Sequence, residues 1–209
     1  LKLILPFLKA YDVTDRKMWE FSAQSLVLIS NIKETLKHVR NIAHAFIVST
    51  SYEHYIKALC QTLGFPYENT YYTRLSIDKY HVTEKEKTQL KEIAKEISQM
   101  PIIEIPPEAK SIKTFSERDQ ETIRRLDEIF WKKIASMKIG SILSEVNPVG
   151  GGEKAEAVKD AVRRVDVALM DAMYVGDSIT DVEAFRLLRE NGGLAISFNG
   201  NRYAVKNAE

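Results

Sequence analysis

The sequence predicts an α/β protein: a mostly parallel sheet with a mainly helical insert. Three observations carry that reading. Short apolar runs at residues 43–49, 172–175 and 194–198 have strand length and are followed by a polar break. The first two of these runs lead into amphipathic helical patterns, as β-α-β units do. Between them, residues 79–147 change character, with dense Lys and Glu and apolar positions at helical spacing.

Along the chain, residues 1–40 read as helical. Leu3, Phe7 and Leu8 form one stripe; Trp19, Ala23 and Leu26 form a second, and Ile32, Leu36 and Val39 a third. Thr14 or Asp15 is positioned to cap the middle helix. The strand over 43–49 runs into a helix bearing Tyr55, Ile56, Leu59 and Leu63, closed by Gly64. Residues 71–77 alternate enough to predict a third strand. In the insert, Leu90, Ile93, Ala94 and Ile97 mark one helix, and residues 100–107 read as extended and proline-bounded. Ser116 with Asp119 opens a further helix with the stripe Ile123, Leu126, Phe130, Ile134 and Met137. After Gly152 comes a helix with Ala155, Val158, Val162 and Val165. A strand at 172–175 and a helix with Val182, Phe185 and Leu188 follow. Gly192 and Gly193 close that helix before the strand at 194–198.

Composition narrows the function. Lys and Arg number 30 against 29 Asp and Glu, a net charge of +1 that favours neither nucleic acid nor an anionic membrane as partner. With Cys60 alone no intrachain disulfide forms, which fits a cytoplasmic setting. No apolar run reaches membrane-spanning length, so no membrane insertion is expected. Residue 1 is Leu, in mid-pattern, and the chain reads as a fragment.

Three places could carry chemistry. At residues 173–181 an apolar run ends in Gly176-Asp177, and Asp181 follows four residues later at a helix start. Two carboxylates at the carboxyl edge of a sheet suit Mg2+, which takes one or two carboxylates plus water and phosphate oxygen. The alternative is an Asp that merely caps a helix. Ser49, Thr50 and Ser51 end the first strand, where hydroxyls and free N–H groups bind phosphate oxygens or simply cap the next helix. Lys154 follows Gly150-Gly151-Gly152 in the first turn of a helix, a place the macrodipole makes poor for a cation. It therefore suits an anionic ligand, or else projects into solvent. Gly150, Gly152 and Ala155 also match the dinucleotide pattern G-x-G-x-x-A, but Pro148 stands where the required strand should run. His44, His54 and His81 share no metal-ligand spacing.

In this order the segments resemble the haloacid dehalogenase (HAD) superfamily. Ile47-Val48-Ser49 is similar to motif II, Lys154 in GGGEKAEAV to motif III, and GDSITD (176–181) to the Gly-Asp-x-x-x-Asp of motif IV. Phe198-Asn199-Gly200 resembles the strand end that follows motif IV in many members. The wording VSTSY, GEKA and AISFNGN is similar to an archaeal HAD-like group, some labelled energy-converting hydrogenase A subunit R. The resemblance implies a Rossmann-like core at residues 41–78 and 148–209, a helical segment at 1–40 and a cap at 79–147. It implies a Mg2+-dependent phosphohydrolase acting on a small phosphorylated substrate, whose cap covers the site and selects that substrate. Ser49, Thr50 and Lys154 would then bind phosphate, and Asp177 and Asp181 the metal. The family's nucleophile, the first Asp of an Asp-x-Asp after an apolar strand, has no counterpart before Ser49. Asp12-Val13-Thr14-Asp15 has the wrong spacing and a helical approach. The resemblance therefore implies truncation at the N-terminus, with the central strand missing between those of motifs II and IV. The rival expectation is a non-catalytic scaffold or regulatory subunit of a redox or hydrogenase-type assembly; a homo-oligomer also stays open.

Overall fold

A computed structural model of the chain describes residues 1–106, 109 and 111–208. Pro107, the end of the expected extended run, lies outside the described residues. The chain divides into two compact units, Leu1–Lys17 with Ser76–Val146, and Met18–Leu75 with Asn147–Glu209. The helical residues 1–40 are thus shared between units, the boundary falling inside α2 (Asp15–Ser25). Thr14 Oγ1 accepts from the Lys17 N–H and starts that helix.

The second unit carries every candidate residue. Its first half is β1 (Ile47–Tyr52), α4 (Glu53–Leu63) and β2 (Thr70–Thr73), with β1 and β2 paired in parallel. Ahead of β1, α3 (Ile32–Ile42) lends Leu36 to a core around Ile56, Cys60 and Phe65. Gly64 ends α4 in the left-handed conformation (φ 64°) that a Cβ would strain. Burial, with the nearby charge of Glu68, pushes the Cys60 thiol up. The second half begins with α8 (Gly152–Arg164), followed by β3 (Met173–Gly176), α9 (Val182–Glu190) and β4 (Leu194–Ser197), and ends with α10 (Arg202–Asn207). β3 and β4 are also parallel, in register from Met173–Leu194 to Gly176–Ser197. The architecture is α/β with parallel strands, as the sequence predicts.

Among the described residues the strands form two separate pairs; β1 and β3 are not hydrogen-bonded to each other. They nevertheless share a core. Val48 of β1 packs against the cluster of Val158, Tyr174, Phe185, Leu188 and Ala195. The period-2 rule is visible on β3, where Tyr174 is 9% exposed while its neighbours Met173 and Val175 are 60% and 51% exposed.

The other unit is helical: α1 (Leu5–Ala10), α5 (Glu84–Ser98), α6 (Glu117–Asp127) and α7 (Ile142–Glu145), with several short turns. Ser116 caps α6 by accepting from the Asp119 N–H, as expected. The helix then widens into a π-helical stretch, Glu128–Ile134, so the stripe does not run straight to Met137. Gly140 explains the close return of the chain, since a Cβ there would lie 2.4 Å from the Ile134 carbonyl oxygen. The strand expected over 71–77 stops at Thr73. The Ile77 N–H instead donates to Asp15 Oδ1 (2.8 Å), and Ile77–Lys79 form a 3-10 turn. Asp15 thereby takes an amide that a sheet ladder would have used.

Two outcomes follow from this packing. Phe185→Ala, at a fully buried position, should lower unfolding stability by about 3–5 kcal/mol in a urea titration. Glu86 is buried and closes a capping box with Thr83 while also accepting from the Lys138 N–H. Burial raises its carboxyl pKa, but these hydrogen bonds outweigh it and the net shift is downward. A depressed folded pKa contributes stability that is present above the unfolded value and lost as pH falls through the folded one. Glu86→Gln should therefore destabilise at neutral pH, and the difference from the parent should shrink on acidification below the ordinary carboxylate range.

Candidate active site

The first element of the site is a bulge. From Val48 to Tyr52 β1 advances four residues while β2 advances two, Tyr71 to Thr73. Ser49, Thr50 and Ser51 occupy that excess, which re-aims side chains at a sheet edge. The strand expected to end at Ser49 continues through them. Ser49 Oγ accepts from the Ser51 N–H at 3.1 Å, so the hydroxyl shapes its own turn. These hydroxyls do not cap the next helix: α4 starts behind Tyr52 without a side-chain cap.

Fully buried Thr73 ties this strand end to the glycine loop. Its Oγ1 donates to the Thr50 carbonyl (2.7 Å) and accepts from the Val149 N–H (3.0 Å). Gly150 then sits between two threonines. A Cβ built on it would lie 3.5 Å from Thr180 Cγ2 and 3.9 Å from Thr50 Oγ1. Gly151, at φ 55°, donates its N–H to the Thr180 carbonyl at 3.0 Å. The residues before Gly150 form no strand, which removes the context a dinucleotide loop requires.

Lys154 is not a solvent-facing lysine. It is 6% exposed, and its Nζ donates to Asp181 Oδ1 at 2.7 Å. Asp181 is the sole acceptor for that ammonium among the described residues, which leaves two of its three N–H groups for an incoming oxygen. Tyr174 OH donates to the same Oδ1 at 2.7 Å. Asp181 Oδ2 accepts from the N–H groups of Asp177 (3.2 Å) and Ser178 (3.0 Å) and from Ser178 Oγ (3.0 Å). Gly176 makes room for this, because a Cβ there would stand 2.6 Å from Asp181 Cγ. Burial pushes the Asp181 carboxyl pKa up, but the hydrogen bonds from Lys154 and Tyr174 and the Lys154 charge outweigh it, so the net shift is down. Burial and then the bond to Asp181 push the Tyr174 hydroxyl up, keeping it a donor.

The two motif carboxylates thus part company. Both oxygens of Asp181, 2% exposed, are engaged by protein donors. Asp177 is exposed, and its carboxylate makes no hydrogen bond or ion pair among the described residues. Its loop is fixed through the main chain, with the Asp177 carbonyl accepting from the Asn201 N–H at 2.8 Å. Among the described residues no three His, Cys, Asp or Glu side chains group to hold a metal.

Lys154 and Asp181 are thus brought into direct contact, and Thr50 joins them through Gly150. Sequence reasoning missed Tyr174, Thr73 and Thr180. Tyr174 alone carried a signal, a buried-phase aromatic whose polar tip needs a partner.

A family model described as haloacid dehalogenase-like hydrolase matches residues 17–209, which takes in every residue of this site. The chain belongs to the haloacid dehalogenase-like hydrolases. Among solved structures, the gene product AF1437 from Archaeoglobus fulgidus is similar to this chain at 27% identity and a TM-score of 0.82. That likeness covers 99% of this chain, which spans 58% of the length of the AF1437 chain. No curated protein matches the chain.

Gly176→Ala tests the site packing. The added methyl must displace Asp181, costing about 1–3 kcal/mol of stability in thermal or chemical unfolding.

Proposed function

We propose that this chain supplies the phosphoryl-binding and metal-binding parts of a Mg2+-dependent phosphohydrolase for a small phosphate monoester. One observation carries the reading: Lys154 holds a buried ammonium with two N–H groups unspent, in a family of hydrolases. A buried cation aimed with spare donors favours an anionic oxygen, and phosphoryl transfer asks mainly for positioning and charge neutralisation.

In this reading Ser49 and Thr50 present hydroxyl and backbone donors to the phosphoryl oxygens from the β1 bulge. Lys154 neutralises charge on the transferring group. Asp177 holds Mg2+, and Asp181 keeps Lys154 in place. When bound, Mg2+ contributes further charge neutralisation at the phosphoryl oxygens. The nucleophile is assigned to an Asp at the end of an apolar strand outside this sequence. Its attack on phosphorus breaks the ester P–O bond and releases the alcohol, giving an aspartyl-phosphate that water then hydrolyses to inorganic phosphate and the free carboxylate. Among the described residues β1 and β3 each pair on one side only, which leaves an edge on each for that strand. The helical residues 79–147 are assigned to substrate selection. The archaeal source of the AF1437 structure favours the archaeal group whose wording the sequence resembles. No helix among the described residues is long and apolar enough to cross a membrane.

The test is hydrolysis of p-nitrophenyl phosphate by the protein carrying both this chain and the Asp-bearing strand. Activity should require Mg2+, and Asp177→Asn and Lys154→Met should each lower kcat/KM by about a hundredfold or more. Undiminished, Mg2+-dependent activity in Asp177→Asn would sink the metal assignment.

A further inference from the structure

We propose that Tyr174 is a positioning residue for Lys154, acting through Asp181. The inference rests on the phosphoryl-binding role of Lys154 for its effect on ligand, but not for its structural core.

Lys154 Nζ and Tyr174 OH both reach Asp181 Oδ1 at 2.7 Å. A carboxylate oxygen offers about two lone-pair sites, and here both are taken. The three donors on Oδ2 prevent the carboxylate from turning to offer its other edge. The lysine therefore has one acceptor site on Asp181, and Tyr174 occupies the only other place on that oxygen. The tyrosine itself has little freedom. Its ring meets fully buried Phe185 edge-on, with centroids 5.7 Å apart at 77°, and its backbone is paired with Ala195 in the β3–β4 ladder. Position thus passes from the strand to the ring, from the hydroxyl to the carboxylate, and from the carboxylate to the ammonium. Phe would fill the same space, so packing alone gives no reason for the hydroxyl. A buried hydroxyl is retained at cost unless it is paired.

The test uses Tyr174→Phe in the protein carrying both this chain and the Asp-bearing strand, labelled with 15N-lysine. The side-chain ammonium signal of Lys154 is assigned by its absence in Lys154→Met. In the parent, a buried, paired ammonium should exchange slowly enough to be seen. In a folded Tyr174→Phe protein the signal should shift or broaden away, and inorganic phosphate should bind about fivefold more weakly. An unchanged Lys154 signal would overturn the proposal. A changed signal with unchanged phosphate affinity would support the positioning role while removing phosphoryl binding from Lys154, so the two readings fail separately. Should Tyr174→Phe not fold, 3-fluorotyrosine at position 174 keeps the shape and makes the hydroxyl a stronger donor. It must then move the same signal, and an unmoved signal overturns the proposal equally.

Discussion

The buried pair of Lys154 and Asp181 is the constraint around which the site is arranged. Taking two charges out of water costs several kcal/mol per ion, and their attraction offsets this only when the remaining hydrogen-bonding capacity is met. For Asp181 it is met in full, by the Tyr174 hydroxyl, two backbone amides and the Ser178 hydroxyl. For Lys154 it is not. The asymmetry is the chemical content of the site: the carboxylate is complete within the protein, whereas the ammonium keeps two N–H groups that the proposed phosphoryl ligand would take. The glycines follow from the same requirement. Gly176 lets the carboxylate lie against the strand, and Gly151 lets the loop turn at positive φ into the helix that carries Lys154.

Much of this was legible in the sequence. The order of Ser49, Lys154 and the Asp177–Asp181 run, each next to an apolar strand or a helix start, pointed to one sheet edge and to a family of hydrolases. What the sequence concealed was direction. Asp177 and Asp181 are the same residue type in one short turn, yet one faces solvent and the other the core. That choice is shared between a local capping box, in which Ser178 and Asp181 hold each other, and the distant partners Lys154 and Tyr174, 27 and 7 residues away, which no local pattern encodes. The bulge in β1 was hidden for a similar reason. Ser49-Thr50-Ser51 read equally well as a strand end or a helix cap, and the pairing with β2 decides between them. β2 stops at Thr73 because its partner Tyr52 is the last residue of β1 before α4 begins, and four residues on the Ile77 N–H is taken by Asp15, 62 positions earlier.

The two strand pairs explain how a site can be organised without a continuous sheet. Each pair is a β-α-β unit with its own helix, and Val48 bridges them through side-chain packing. The Lys154–Asp181 bond and the Gly151–Thr180 hydrogen bond link α8 to the turn after β3. The Thr73 hydroxyl does the same for β1 and β2 through Val149. Polar bonds at the carboxyl ends of the strands therefore couple elements that backbone ladders leave apart.

The single thiol of the chain has a use of its own. Cys60 lies in the small core of the β1–α4–β2 half, and its raised pKa together with its burial silences it toward alkylating reagents in the closed state. With no second cysteine to confuse the signal, the rate at which it becomes modified is a clock for the opening of that half alone.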